Sequence, residues 1–176
     1  MSSCRKLEPL PNATQPHEDG PAFRPIVASI SLGSHTILDI HHYLSTTSPS
    51  PPMTTTTPPS ESDRAKTIAA IPLAHLLLLP RSLLILSSSL YTSHLHGICA
   101  RIEDVVRSSP ADPPDEDGVV IANGDLLGDA TIIDSLRDNG RWSGERGTRT
   151  SLTFRHVEKV LRGGAFSMAL GGLKRS

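Results

Sequence analysis

Two residues near the start of the chain, His17 and Asp19, have the types and the spacing to do chemistry. On a strand, positions 17 and 19 point to one face. An imidazole nitrogen and a carboxylate oxygen would then meet one metal ion. A second histidine from elsewhere would complete a two-histidine, one-carboxylate facial triad. Such a set leaves three coordination positions open and suits non-haem Fe(II). Alone, His-x-Asp is a short motif, and the flanking Pro16, Gly20 and Pro21 equally suit a surface turn.

The second constellation is Arg149-Thr-Ser-Leu-Thr-Phe-Arg155. Six positions is an even spacing, so on a strand the two arginines share a face, with Cα atoms about 20 Å apart. Ser151 and Thr153 lie on that same inward face, and Leu152 and Phe154 are expected to pack on the other. Two guanidinium groups inside one barrel need anionic partners, because unpaired buried charge is costly. A dicarboxylate would supply them, since arginine matches a carboxylate bidentately. An exposed edge strand with solvated arginines fits the same seven residues.

The elements that must position these groups read as strands. Pro25 to Tyr43 is β-branched and apolar around Gly33-Ser34, which predicts two strands and a turn. Leu73–Leu79 and Ser82–Leu86 read as a second pair joined at Pro80-Arg81. A short strand is expected over Tyr91 to Ile98, and a last one over Thr148 to Leu161. Residues 45–66, with Thr54 to Thr57 between proline clusters, predict a disordered insertion. Residues 108–147 predict a loop insertion, opened by prolines and Asp115-Glu116-Asp117, with minor structure at Val119–Ala122 and Ile132–Leu136. The class is all-β, in one domain over 1–176.

Composition narrows the function classes. The 176 residues carry a net charge of −1, which gives no strong overall pull toward polyanions. Apolar residues make up 37% and aromatic ones 3%, while Gly and Pro number 13 and 15, so the packed core is smaller than the length suggests. Ile68 to Leu90 is leucine-rich and long enough to span a bilayer, but His75, Pro80 and Arg81 fall within it, so no membrane span is expected. Cys4 and Cys99 are too few for a disulfide framework, and Met1 to Asn12 has no apolar secretory core. An intracellular location, in nucleus or cytoplasm, is expected.

Five segments occur in order: Pro16-His17-Glu18-Asp19-Gly20-Pro21, Ser29 to Thr36, Leu79 to Leu84, Leu95-His96-Gly97-Ile98 and Arg146 to Arg155. Over roughly half of its length the chain closely resembles the AlkB-type Fe(II)/2-oxoglutarate dioxygenases, most of all their homologue six branch. The resemblance implies a double-stranded β-helix, or jelly roll. It implies that His17, Asp19 and His96 hold Fe(II). Arg149 would bind the far carboxylate of 2-oxoglutarate, and Arg155 would lie on its 1-carboxylate side, near the iron and substrate. The implied reaction uses O₂ to hydroxylate an alkyl group, turning 2-oxoglutarate into succinate and releasing an N-methyl carbon as formaldehyde. An alkylated nucleic acid is the implied substrate, and a monomer is expected.

The remaining histidines have plainer readings. His94 is two before His96, shares its face on a strand and is the rival third ligand. His35 is expected as a hydrogen-bonded scaffold residue, His75 and His156 as solvated or satisfied, and Tyr91 as part of the barrel wall. His41 and His42 are adjacent and face opposite ways. Sixteen residues precede His17, and no Asn-x-Tyr occurs among them. The family's substrate lid, first barrel strand and Asn-x-Tyr contact to 2-oxoglutarate therefore have no counterpart, and an N-terminally truncated domain is expected. The alternative function is a truncated or degenerate member that has at most a binding role. A metal-free jelly-roll binder is a third reading, and it leaves the paired arginines without a purpose.

Overall fold

β-branched and leucine-rich runs, cut by Gly, Pro and Ser, fold into strands in a computed structural model that describes residues 13–21, 23–44, 67–110 and 117–157. In chain order the strands are β1 (Thr14–His17), β2 (Ile26–Gly33), β3 (Thr36–His41), β4 (Ala74–Leu78), β5 (Leu83–Ser87), β6 (Leu95–Ile98), β7 (Glu103–Arg107), β8 (Val119–Val120), β9 (Arg141–Glu145) and β10 (Arg149–Arg155). Two helices interrupt them, α1 (Ser89–Thr92) and α2 (Ala130–Asn139).

Two antiparallel sheets face each other, in the orders β1-β6-β3-β4 and β10-β2-β5. Leu38, Ile40 and Leu78 of the first meet Leu84 of the second, which closes the inner core. The chain is thus all-β, with the jelly-roll architecture expected. The predicted turns at Gly33-Ser34 and Pro80-Arg81 lie where β2 meets β3 and β4 meets β5. Gly33 adopts φ +85°, and a Cβ there would lie 2.4 Å from the Thr148 carbonyl oxygen, so only glycine fits beside the start of β10.

β3 is buried along its whole length because both faces are covered. Its outer side, at Ile37, packs with Leu77 against Val106, Val119, Leu127 and Ile132. Val106, Val119 and Ile132 belong to a third unit, the sheet β8-β7-β9 with α2, and Leu127 to the segment that joins β8 to α2. Residues 108–147 are therefore not all loop. Asp129 caps α2 by accepting from the Thr131 backbone N–H at 3.0 Å, and Gly140 ends it at φ +67°. Residues 45–66 lie outside the described residues.

Three other expectations are corrected. Tyr91 sits in α1, not in a strand that runs to Ile98. The last strand stops at Arg155 among the described residues. Leu152 and Phe154 do lie opposite the arginines, but they are 43% and 57% exposed rather than packed. Among the described residues, no helix is long and apolar enough to cross a membrane.

Candidate metal centre

β1 runs beside β6 with an irregular register: Thr14 faces Ile98, and His17 faces His96. Three steps along β1 thus match two along β6. This bulge brings Thr14 and His17 to one side, with Ile98 and His96 opposite them. Gly97 lets the bulge come close, since a Cβ there would lie 3.0 Å from Pro16 N and 3.1 Å from the Thr14 carbonyl oxygen. The strand ends at His17, because Gly20 and Pro21 cannot continue it. Asp19 is therefore placed by a loop, not by the strand alternation the sequence suggested. The Tyr91 hydroxyl donates to the Gly20 carbonyl at 2.8 Å and holds that loop.

The result brings His17, Asp19 and His96 together, with one ligand atom from each lying within 4.8 Å of the others. The His17 and His96 rings are 4.4 Å apart between centroids. His96 Nε2 is 3.8 Å from Asp19 Oδ2. His17 Nδ1–H donates to the Gln15 carbonyl at 2.9 Å, which leaves Nε2 as the basic nitrogen. Burial, reinforced by His17 and Arg155 and opposed by Asp19, lowers the His96 pKa and favours the neutral imidazole that ligates a metal. Two imidazoles and one carboxylate form a donor set that suits a divalent transition metal. His94 is not part of the group; its Nδ1–H donates to the Ser89 carbonyl at 2.7 Å.

The inward face of β10 carries both arginines, with Ser151 and Thr153 between them, as its alternation requires. They do different things. Arg155 donates from Nε, at 2.9 Å, and from Nη2 to Asp19 Oδ1. Its guanidinium carbon lies 5.5 Å from the Phe23 ring centre. Asp19 is nearly buried, its side chain 4% exposed, so this pairing satisfies one carboxylate oxygen and fixes the other toward His96.

Arg149 stands at the other end of the strand, in a cavity of about 170 Å³. Thr14, Thr36 and Ile98 line it from one sheet, and Arg149 and Ser151 from the other. Arg149 Nη2 donates to Ser31 Oγ at 2.9 Å, while its Nε and the Thr36 hydroxyl are buried without a partner. Burial first, and the nearby Arg146 second, lower the Arg149 pKa. A half-buried cation with a buried, unpaired donor in an open cavity is suited to an anion. The cavity meets the metal cluster along the same two strands, with Thr14 and Ile98 at one and His17 and His96 at the other.

Two other histidines are in structural roles. His35 Nε2 is 3.2 Å from the Gly144 carbonyl, and its ring meets Trp142 edge-on, as expected for a scaffold residue. His75 Nδ1 bonds the buried Asp39 at 2.7 Å. The sequence reading missed Asp104 and Arg146, which form a buried bidentate pair at 2.8 and 2.7 Å beside the cavity. One signal was available: in Glu-Asp-Val-Val-Arg, Asp104 shares the inward side of β7 with Val106, and an acid there needs a buried partner.

No family model matches the chain. It is 33% identical over 151 residues to a zebrafish (Danio rerio) protein described as "Probable RNA/DNA demethylase ALKBH6". The match covers 86% of this chain and 50% of that protein, so the chain spans about half the length of the curated relative.

Proposed function

The chain is an AlkB-type homologue, and from that premise we propose that it is an Fe(II)- and 2-oxoglutarate-dependent dioxygenase acting on alkylated nucleic acid. The observation that carries this reading is the division of labour along β10. One arginine is engaged with the carboxylate of a His-Asp-His cluster, and the other stands with an unpaired donor in a neighbouring cavity.

His17, Asp19 and His96 would hold the iron. When bound, iron and 2-oxoglutarate supply oxidation of an alkyl C–H bond by O₂, with succinate and carbon dioxide formed from the cosubstrate. The chain's own residues prepare that chemistry. The Gln15 carbonyl fixes the His17 tautomer. Arg155 orients Asp19 and compensates its charge. Arg149 binds the far carboxylate of 2-oxoglutarate, assisted by Ser31, which already touches its guanidinium. The relative's description as an RNA/DNA demethylase supports the substrate class.

The test is incubation of the full chain with ferrous iron, 2-oxoglutarate and oligonucleotides that carry N-methylated bases. Formaldehyde and succinate are expected in equal amounts, and neither is expected from His17→Ala. Turnover by His17→Ala equal to that of the parent chain, or no binding of iron by the folded parent, would overturn the reading.

A further inference from the structure

Two arginines line the cavity, yet only one is free to bind a ligand. Arg146 gives Nε and Nη2 to the two oxygens of Asp104 at 2.8 and 2.7 Å, and Nη1 to the Cys99 carbonyl at 2.7 Å. Both side chains are buried, Arg146 at 3% exposure and Asp104 at 0%. His35 Nε2 stands 3.7 Å from the same carboxylate. Asp104 comes from β7, whose sheet with α2 packs outside the barrel, and Arg146 lies just before β10.

We infer that Asp104 is a positioning and specificity residue for the cavity: it holds Arg146 as a neutralised wall and leaves the single charge of Arg149 to face the ligand. The inference rests on the reading of the cavity as the site of the cosubstrate's far carboxylate. One net positive charge matches one carboxylate. A ligand with an additional carboxylate brings a charge that no further arginine or lysine among the described lining residues balances. That the Arg146 charge is felt at Arg149 is consistent with the lowering of the Arg149 pKa by Arg146 as well as by burial. Removing the Asp104 charge exposes the ligand to two cations and favours the more highly charged anion.

The test is isothermal titration of the full chain with glutarate and with tricarballylate, which is glutarate bearing a third carboxylate. Circular dichroism and thermal melting establish that each variant is folded. The parent chain is expected to prefer glutarate. Asp104→Asn shifts the affinity ratio toward tricarballylate by about tenfold, a size set by one partly screened charge at this range. Arg146→Gln shifts it the opposite way, and the double variant, with no charge on either residue, returns it to the parent value. Should Asp104→Asn fail to fold, Arg146→Gln and the double variant decide the matter. Simple loosening of the cavity weakens both ligands together and leaves the ratio unmoved in every folded variant, which overturns the inference alone. A folded parent chain that binds neither acid overturns the proposed function and this inference together.

Discussion

Arg155 binds Asp19 through one carboxylate oxygen, Oδ1, and leaves Oδ2 facing His96 at 3.8 Å. The arginine at the far end of β10 is thereby part of the candidate metal centre's supporting shell. Its loss leaves a nearly buried carboxylate poorly paired and free to turn. Arg155→Gln is expected to weaken metal binding about tenfold or more. Titration of Mn(II), followed by electron paramagnetic resonance, measures this; unchanged affinity would show that Asp19 is oriented by the Gly20 loop alone.

The bulge between Thr14 and His17 depends on Gly97, which has no room for a Cβ beside Pro16. Gly97→Ala is expected to push β1 off β6 and to destabilise the chain by about 1–3 kcal/mol. Metal affinity falls with it, because His17 and His96 separate. Chemical denaturation combined with the same Mn(II) titration distinguishes this from a harmless substitution, in which neither quantity changes.

His94 and His96 lie two apart, but the first is committed to the Ser89 carbonyl at the start of α1. His94→Ala leaves metal affinity within about twofold of the parent, a difference below the usual effect of losing even a supporting contact to a metal ligand. His96→Ala abolishes binding. Reversal of these two results identifies His94 as the third ligand.

Hydrogen bonds from Thr131 hold the exposed Asp129 carboxyl below its usual pKa at the start of α2. A carboxylate depressed in the folded state stabilises above its unfolded pKa, and that contribution is lost as pH falls through the folded value. Asp129→Ala therefore lowers the melting temperature at pH 7, and the difference from the parent chain shrinks once the pH drops below the unfolded pKa, near 4. A constant difference from pH 7 down to pH 3 contradicts this account of the cap.

Much of the barrel was legible because its strands alternate in ways that turns and β-branched residues make plain. Gly33-Ser34 and Pro80-Arg81 marked their turns, and the even spacing of Arg149 and Arg155 placed both on the inward face of β10. The resemblance to the AlkB-type family, rather than spacing, paired His17 and Asp19 with a histidine some eighty residues away. Other features depend on long-range contacts that local pattern does not record. Asp19 owes its place to Tyr91 and Arg155, not to strand alternation. The helix α2 was hidden among acidic and proline-rich neighbours, although Asp129 and Gly140 are good cap residues. The Asp104–Arg146 pair joins β7 to the link between β9 and β10 across 42 positions, which no short-range spacing reveals.

In the proposed function, one cluster and one cavity together receive iron and 2-oxoglutarate. Anaerobic titration of the full chain with Fe(II) and 2-oxoglutarate tests it most directly, through the weak visible charge-transfer absorption of the chelated cosubstrate. A saturable band is predicted for the parent chain, lost in His96→Ala and displaced to much higher 2-oxoglutarate concentration in Arg149→Ala. A folded parent chain without the band, or a band that survives unchanged in His96→Ala, would contradict it.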